Sequence, residues 1–249
     1  MPPPRPSCPP PGCPVDDVAR LAALARTVAA AVQPGMTVGL GTGSTADAVI
    51  RELGRRVRDG LALRGVPTSR RTAKLARELG IRLVSLEEVD RIDLGIDGAD
   101  EIDPALNATK GRGGALLHEK LVALACADYV LVAAAEKLVP RLGSRLPLPV
   151  EVVPFGWQHT AARLERLGIR PALRPEPDHP SGPFHSDGGH VILDCDIGPL
   201  AEPEALATGI KAVAGVVDHG LFLGIAHRAY IAETDGSVRE IARPTTPGR

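Results

Sequence analysis

The N-terminal half of the chain alternates short apolar strands with amphipathic helices, and this alternation constrains the fold more than any other feature. Apolar residues recur every three or four positions over residues 18–32, which predicts a helix ended by Pro34-Gly35. A buried strand over residues 37–40, a glycine turn over 41–45 and a helical pattern over 46–53 follow. This order favours a parallel sheet covered by helices, with ligands at the carboxyl ends of the strands.

The same alternation continues to about residue 133, and then the order of elements changes. We predict strands over residues 61–66, 81–84, 92–96 and 129–133, and helices over residues 71–79 and 115–126. After Pro147-Leu148-Pro149 the predicted order is strand, helix, strand, strand, helix, strand. These elements cover residues 150–153, 157–167, 170–173, 190–195, 203–214 and 216–222. That order is the signature of a ferredoxin-like unit.

The predicted fold class is α/β, with a Rossmann-like parallel-sheet domain and a smaller ferredoxin-like α+β domain. Strands over residues 225–231 and 238–241, joined through Asp235-Gly236, are predicted to form a hairpin that returns to the large domain. We therefore assign residues 15–147 and 224–249 to the large domain and residues 148–223 to the small one. Residues 1–14 are proline-dense and lack the apolar core of a signal peptide, which predicts a disordered tail.

Composition argues against several classes of protein. The formal net charge of the 249-residue chain is -1 and no long basic run occurs, so we expect no nucleic-acid partner. No apolar stretch reaches membrane-spanning length, so we expect no membrane partner either. The cysteines Cys8, Cys13, Cys126 and Cys195 lack the paired spacing of a zinc site or a disulfide framework. We therefore expect a cytoplasmic protein, for which a small anionic ligand is still possible.

The first glycine turn has the composition of a phosphate-binding loop. Gly41, Thr42, Gly43, Ser44 and Thr45 offer accessible backbone N–H groups, hydroxyls and the positive end of the following helix. The alternative is a tight strand-to-helix turn with a Ser or Thr cap. The segment lacks the Lys-Ser/Thr ending of a nucleotide P-loop and the full dinucleotide fingerprint, so neither ATP nor NAD is favoured.

An acidic cluster follows the strand predicted over residues 92–96. Asp97, Asp100 and Glu101 lie in the five-residue segment Asp97-Gly98-Ala99-Asp100-Glu101, where a sheet delivers side chains into a ligand crevice. These carboxylates could hold a metal, bind sugar hydroxyls or cap the next helix. No further ligand at metal-loop spacing accompanies them, so hydroxyl recognition is favoured and no metal is expected.

A glycine loop over residues 110–114, which begins with Lys110, precedes the predicted helix over residues 115–126. The chain has five lysines against twenty-four arginines, yet Lys110, Lys120 and Lys137 fall within one short span. An ammonium differs from a guanidinium in shape and in how readily its pKa moves, so chemistry is a plausible reason for this choice. Partial burial of Glu119 would raise its pKa toward the range of roughly 6–7 that suits a general base. The alternative is an ordinary solvated Glu-Lys step.

The histidines carry less information. His118 and Glu119 are adjacent in sequence and project from different sides of the predicted helix, so we interpret His118 as a surface or junction residue. His219 and His227 have no partners at recognisable spacing, and we interpret both as core or interface residues.

Taken in order, these motifs resemble those of the A-type ribose-5-phosphate isomerases. The resemblance rests on the segments at residues 41–45, 97–101, 110–114 and 119–120. It extends to Pro147-Leu148-Pro149-Val150-Glu151-Val152, to Val191-Ile192-Leu193-Asp194 and to residues 215–222. Coverage runs from about residue 15 to residue 241. Two departures occur, since Arg112 replaces a small residue of the glycine loop and Gly188-Gly189-His190 replaces an Asn-containing turn.

The resemblance implies the interconversion of ribose 5-phosphate and ribulose 5-phosphate, without a metal or another cofactor, in the non-oxidative pentose phosphate pathway. It implies that Glu119 is the proton-transferring base and that Asp97, Asp100 and Lys110 surround the sugar oxygens. The implied substrate-binding positions are Thr42, Gly43, Ser44, Thr45, Gly98, Ala99, Gly111, Arg112, Gly113 and Lys137. It also favours a homodimer or homotetramer.

Two rival functions belong to other classes. A sugar-phosphate-sensing regulator could use a related α/β domain, but only one helix precedes the first strand, which leaves no helix-turn-helix. Coenzyme A transfer with a glutamate nucleophile on a similar fold is the second rival. The combined motif set favours the isomerase.

Overall fold

The computed structural model describes residues 17–177 and 182–243. The tail predicted over residues 1–14 lies outside the described residues. The helices are α1 (Asp17–Ala30), α2 (Ser44–Arg58), α3 (Arg70–Glu78), α4 (Leu116–Leu124), α5 (Trp157–Glu165) and α6 (Pro203–Lys211). The first seven strands are β1 (Thr37–Leu40), β2 (Arg64–Pro67), β3 (Arg82–Leu83), β4 (Ile92–Gly98), β5 (Glu101–Ile102), β6 (Ala108–Thr109) and β7 (Cys126–Ala134). The others are β8 (Leu148–Val152), β9 (Arg170–Leu173), β10 (Val191–Asp196), β11 (Val216–His219), β12 (Leu221–Phe222), β13 (Arg228–Ala232) and β14 (Val238–Ala242).

The large sheet has seven strands in the order β14-β13-β7-β4-β1-β2-β3. All neighbouring pairs are parallel except β13 and β14, which form the predicted hairpin. All four residues of β1 are buried, as expected for a parallel strand covered on both faces. The α/β fold class is confirmed, and the carboxyl ends of β1 and β4 lie side by side.

The small sheet has four antiparallel strands in the order β11-β8-β10-β9. With α5 and α6 it forms the predicted strand-helix-strand-strand-helix-strand unit. Val150 and Val152 of β8 belong to the core that α5 and α6 complete. Because side chains alternate along a strand, Glu151 lies on the other face, directly opposite Asp218 of β11.

The predicted strand over residues 216–222 is wrong as a single element. It breaks at Gly220, and β12 joins β6 and β5 in a third, three-stranded sheet. A side chain at Gly220 would place a Cβ 2.1 Å from the carbonyl oxygen of Lys110, and the Lys110 amide donates to the Gly220 carbonyl at 2.8 Å. The chain thus changes sheets where it passes close to the glycine loop.

The helix predicted over residues 115–126 ends earlier, because Cys126 already begins β7. His219 is buried, in agreement with its core interpretation. His227 is not a core residue, since 53% of its side chain is exposed, and its interpretation as an interface residue stays a prediction. In the part of the chain that the structure describes, no helix combines the length and apolarity needed to cross a membrane.

Candidate active site

A cavity of about 310 Å³ opens where β1 and β4 end. It is lined by Thr42, Gly43, Ser44, Thr45, Gly98, Ala99, Asp100, Lys110, Gly111, Arg112, Gly113, Glu119 and Lys137. These are all the residues predicted for the site except Asp97, which lies beneath the cavity. Four segments of the chain, at residues 42–45, 98–100, 110–119 and 137, therefore meet, as expected for loops at the carboxyl edge of one sheet.

The floor of the cavity is a buried ion cluster centred on Lys110. Its Nζ lies 3.1 Å from Oδ2 of Asp97 and 3.1 Å from Oε1 of Glu119, and it donates to the carbonyl oxygen of Gly98 at 2.5 Å. At most 4% of each of the three charged side chains is exposed. One buried cation thus contacts two buried carboxylates.

Burial and charge shift the pKa values of this cluster in different directions. Burial, followed by the charge of Asp97, raises the pKa of Glu119 to about 8, although Lys110 acts against the rise. Burial would lower the pKa of Lys110, but the charges of Asp97, Glu119 and Asp100 together raise it above the ordinary value. Lys110 is therefore a permanent cation, whereas Glu119 can take up and release a proton near neutral pH.

Glu119 has one uncommitted oxygen. Its Oε1 accepts from Lys110, but its buried Oε2 has no hydrogen-bond partner among the described residues. A buried acceptor without a partner is costly and calls for an explanation. A donor supplied by a bound ligand would satisfy it.

Glycine and backbone amides set the position of Asp97. A Cβ at Gly41 would lie 2.1 Å from Oδ1 of Asp97, so only glycine lets the carboxylate pass. The same Oδ1 accepts from the amides of Thr42 at 3.1 Å and Gly98 at 2.7 Å. With its other oxygen on Lys110, Asp97 is fully engaged below the cavity.

The rim of the cavity includes the N-terminus of α2. Gly43 is the N-cap, with a φ of 129° that favours glycine, and no side chain caps the helix. The alternative of a Ser or Thr cap is therefore wrong. The ammonium of Lys137 makes no hydrogen bond or ion pair within residues 17–177 and 182–243, so it is available to a ligand. The amides of the first turn of α2 are available as well.

The hydroxyl of Thr42 is occupied elsewhere. It lies 2.8 Å from the hydroxyl oxygens of Thr68 and Ser69 and 3.0 Å from that of Thr72. This buried hydroxyl cluster joins the turn after β1 to the start of α3. Thr42 thus lines the cavity, but its hydroxyl is hydrogen-bonded to neighbouring hydroxyls and not to groups in the cavity.

The acidic segment separates into distinct environments. Asp100 lines the cavity, accepts from the Arg112 amide at 3.1 Å, and has its pKa raised by burial. Glu101 is buried elsewhere, where it accepts from the amides of Gly143 at 2.6 Å and Arg145 at 2.7 Å. The helix-cap interpretation is wrong, because β5 rather than a helix follows Asp100. Among the described residues, no three His, Cys, Asp or Glu side chains are grouped to hold a metal ion.

Sequence reasoning missed the partners that the small sheet supplies. Lys120 pairs with Asp218 at 2.6 Å rather than with Glu119, and donates to the carbonyl oxygen of His219 at 2.6 Å. Burial, together with the charge of Lys120, lowers the pKa of His219 to about 4. These contacts join residues about a hundred positions apart, and no local pattern signals them.

A larger cavity of about 500 Å³ lies on the outer side of α4, beside β2 and β3. Arg77, Glu87, Glu88 and His118 contribute to its lining, but none of the four is buried. It therefore lacks the converging, desolvated charges that distinguish the smaller cavity.

Comparisons with known proteins identify the family of this chain. The family model of ribose 5-phosphate isomerase A (phosphoriboisomerase A) matches residues 64–236. The ribose-5-phosphate isomerase A of Roseiflexus sp. (strain RS-1) is 56% identical over 209 residues, which is 83% of this chain and 89% of the relative.

Two solved structures have the same fold along most of the chain. That of ribose 5-phosphate isomerase A from Methanocaldococcus jannaschii has a TM-score of 0.86 at 33% identity, covering 92% of this chain and 100% of the other. A D-ribose-5-phosphate isomerase in complex with phospho-erythronic acid has a TM-score of 0.88 at 32% identity, with the same coverage. Together with the site, these likenesses define an aldose-ketose isomerase. The chain belongs to the ribose 5-phosphate isomerase A family, which confirms the resemblance.

Proposed function

We propose that this chain interconverts D-ribose 5-phosphate and D-ribulose 5-phosphate through an enediolate, with Glu119 as the base. The observation that carries the proposal is the Glu119 carboxylate, which is buried, has a pKa raised to about 8 and keeps Oε2 unpartnered in the lining of the cavity. A general base works best when its pKa lies near the working pH.

The reaction needs one base that serves two neighbouring carbons. Glu119 removes the proton from C2 of the open-chain aldose, and the resulting carboxylic acid returns it to C1, while the proton of the C2 hydroxyl moves to the C1 oxygen. As the first proton leaves, the carbonyl oxygen becomes an oxyanion. Lys110, a permanent cation in contact with Glu119, stabilises this charge together with amides of the glycine loop. Asp100 binds the sugar hydroxyls and assists ring opening, whereas Asp97 holds Lys110 from below.

The phosphate binds at the other end of the cavity. The first-turn amides of α2, the hydroxyls of Ser44 and Thr45, and the ammonium of Lys137 all lie on this rim. A volume of about 310 Å³ fits a small sugar phosphate, since ligand cavities start at roughly 300 Å³. The reaction belongs to the non-oxidative pentose phosphate pathway and uses no metal or cofactor. The cytoplasmic location and the homodimer or homotetramer stay predictions from the sequence.

The test is direct. Purified protein is mixed with ribose 5-phosphate in the presence of a chelator, and the appearance of ribulose 5-phosphate is followed. Glu119→Gln should lower turnover at least about a hundredfold, because general-base catalysis contributes roughly 10²–10⁴. Glu165→Gln, an exposed position on α5, is the matched control and should keep full turnover. Near-normal turnover in Glu119→Gln would remove Glu119 from the mechanism, and tight binding without any turnover in the wild type would favour a sensor.

A further inference from the structure

Arg174 connects the small sheet to the glycine loop, residues 110–114. It follows β9, and its guanidinium forms a two-pronged ion pair with Asp194 of β10, in which Nε donates at 2.9 Å. Nη1 of the same group donates to the carbonyl oxygens of Gly111 at 2.9 Å and Arg112 at 3.1 Å. Only 12% of the Arg174 side chain is exposed. Both edges of the guanidinium are therefore engaged in a desolvated place.

These contacts fix the directions of two successive peptide planes. In a trans peptide the C=O and the following N–H point in opposite directions. Holding the Gly111 carbonyl directs the Arg112 amide away from Arg174, where it donates to Oδ2 of Asp100. Holding the Arg112 carbonyl likewise directs the amide of Gly113, which lines the cavity and donates to no described residue. Arg174 thus orients the Asp100 carboxylate through the Arg112 amide, and it fixes the direction of the Gly113 amide, which is a free donor.

Phe184 closes the far end of the loop. Its ring lies 5.8 Å from the Arg174 guanidinium and packs so closely on Gly114 that a Cβ there would lie 2.3 Å from the ring. Gly114, at a φ of 78°, donates its amide to the Gly111 carbonyl at 3.0 Å, which completes a tight turn. The loop is therefore held at both ends by residues of the small unit.

We propose that Arg174 is a positioning residue for the isomerisation. It touches no substrate atom, and acts by aiming the Gly113 amide at the developing oxyanion and by orienting Asp100. The proposal rests on the proposed function, because it assumes that charge develops beside the glycine loop. Loss of this positioning should affect the transition state more than the bound sugar phosphate, so kcat should fall while KM changes little.

The decisive variants are Arg174→Lys and its control Arg170→Lys. Arg170, the first residue of β9, likewise pairs with an aspartate of β10, Asp196, but 81% of its side chain is exposed and its guanidinium donates no hydrogen bond to the loop among the described residues. We expect Arg174→Lys to lower kcat about ten- to a hundredfold, the order of loss that a displacement of about 1 Å produces, with KM changed less than about threefold. Arg170→Lys should match the wild type. Asp194→Asn, which keeps the arginine but weakens its anchor, gives an independent second variant.

Ligand binding separates positioning from general destabilisation. Phospho-erythronic acid carries a carboxylate where the enediolate oxygens form, whereas inorganic phosphate reports the phosphate end alone. Arg174→Lys and Asp194→Asn should weaken binding of the acid by a factor similar to the loss of kcat, and leave binding of phosphate unchanged. Equal weakening of both ligands, or kinetics of Arg174→Lys equal to those of Arg170→Lys, would overturn the inference. A wild type without turnover would contradict the proposed function, whereas an active wild type with unchanged kinetics in Arg174→Lys would contradict this inference alone.

Discussion

The titration of Glu119 should lower the free energy of unfolding as the pH rises. Glu119→Gln should remove this pH-dependent decrease. The pKa of Glu119 is raised from 4.5 to about 8 in the folded state. Between these values the folded protein holds a proton that the unfolded chain has released. Stability therefore falls as the pH rises through this window, by at most about 1.4 kcal/mol per pH unit.

The size of the effect follows from the window. From pH 5 to pH 8 the free energy of unfolding falls by at most about 4 kcal/mol. The opposing effect of Lys110 is already included in the pKa of about 8. For a chain of this size, 1 kcal/mol shifts Tm by roughly 2–4 °C. Allowing for half of the maximum, Glu119→Gln should unfold at nearly the wild-type temperature at pH 5 and at least about 4 °C above it at pH 8.

The assay is thermal unfolding of both proteins across this pH range, without ligand. Other groups titrate in both proteins and cancel in the difference. His219 is one of them: its pKa of about 4 lies below the ordinary value, so its contribution is lost as the pH falls. A Tm difference that does not change with pH would refute the account of Glu119 as a buried carboxylate that is protonated near neutrality.

Two further predictions concern the ligand. Lys137→Ala should lower kcat/KM for ribose 5-phosphate far more than for free ribose, because the ammonium of Lys137 contacts only the phosphate. Lys74→Ala is the control: this lysine is exposed on α3, and its loss should leave kcat/KM for both sugars unchanged. Equal losses for the two sugars would place Lys137 outside the phosphate site. A chelator should leave turnover unchanged, since Lys110 and backbone donors meet the developing charge; activity that vanishes in chelator and returns with a divalent ion would contradict this.

Much of the candidate site could be predicted because its residues come from short segments with local signatures. The turn after β1, the acidic segment after β4 and the glycine loop before α4 each carry a distinctive composition. The rule that loops meet at the carboxyl edge of a parallel sheet then brings them together. The roles of these residues stay predictions until the variants are measured.

The rest depends on contacts that no local pattern encodes. The separation of Asp97 from the cavity follows from the packing of Gly41 against it, which only the assembled sheet reveals. Arg174 reaches the glycine loop across about sixty residues of sequence, and Lys120 reaches Asp218 across about a hundred. The strand break at Gly220 likewise results from the close approach of Lys110.

The parallel pairing of β7 with β13 has a consequence for folding kinetics. Roughly ninety residues separate these strands, and closing such a loop costs about 4 kcal/mol of chain entropy. Within that loop, β8 and β11 are antiparallel neighbours, so the chain enters and leaves the four-stranded sheet at nearly the same place. Once this sheet forms, the effective loop shrinks to about twenty residues, and the closure cost falls by about 1 kcal/mol. Early formation of the small sheet would thus accelerate completion of the large one.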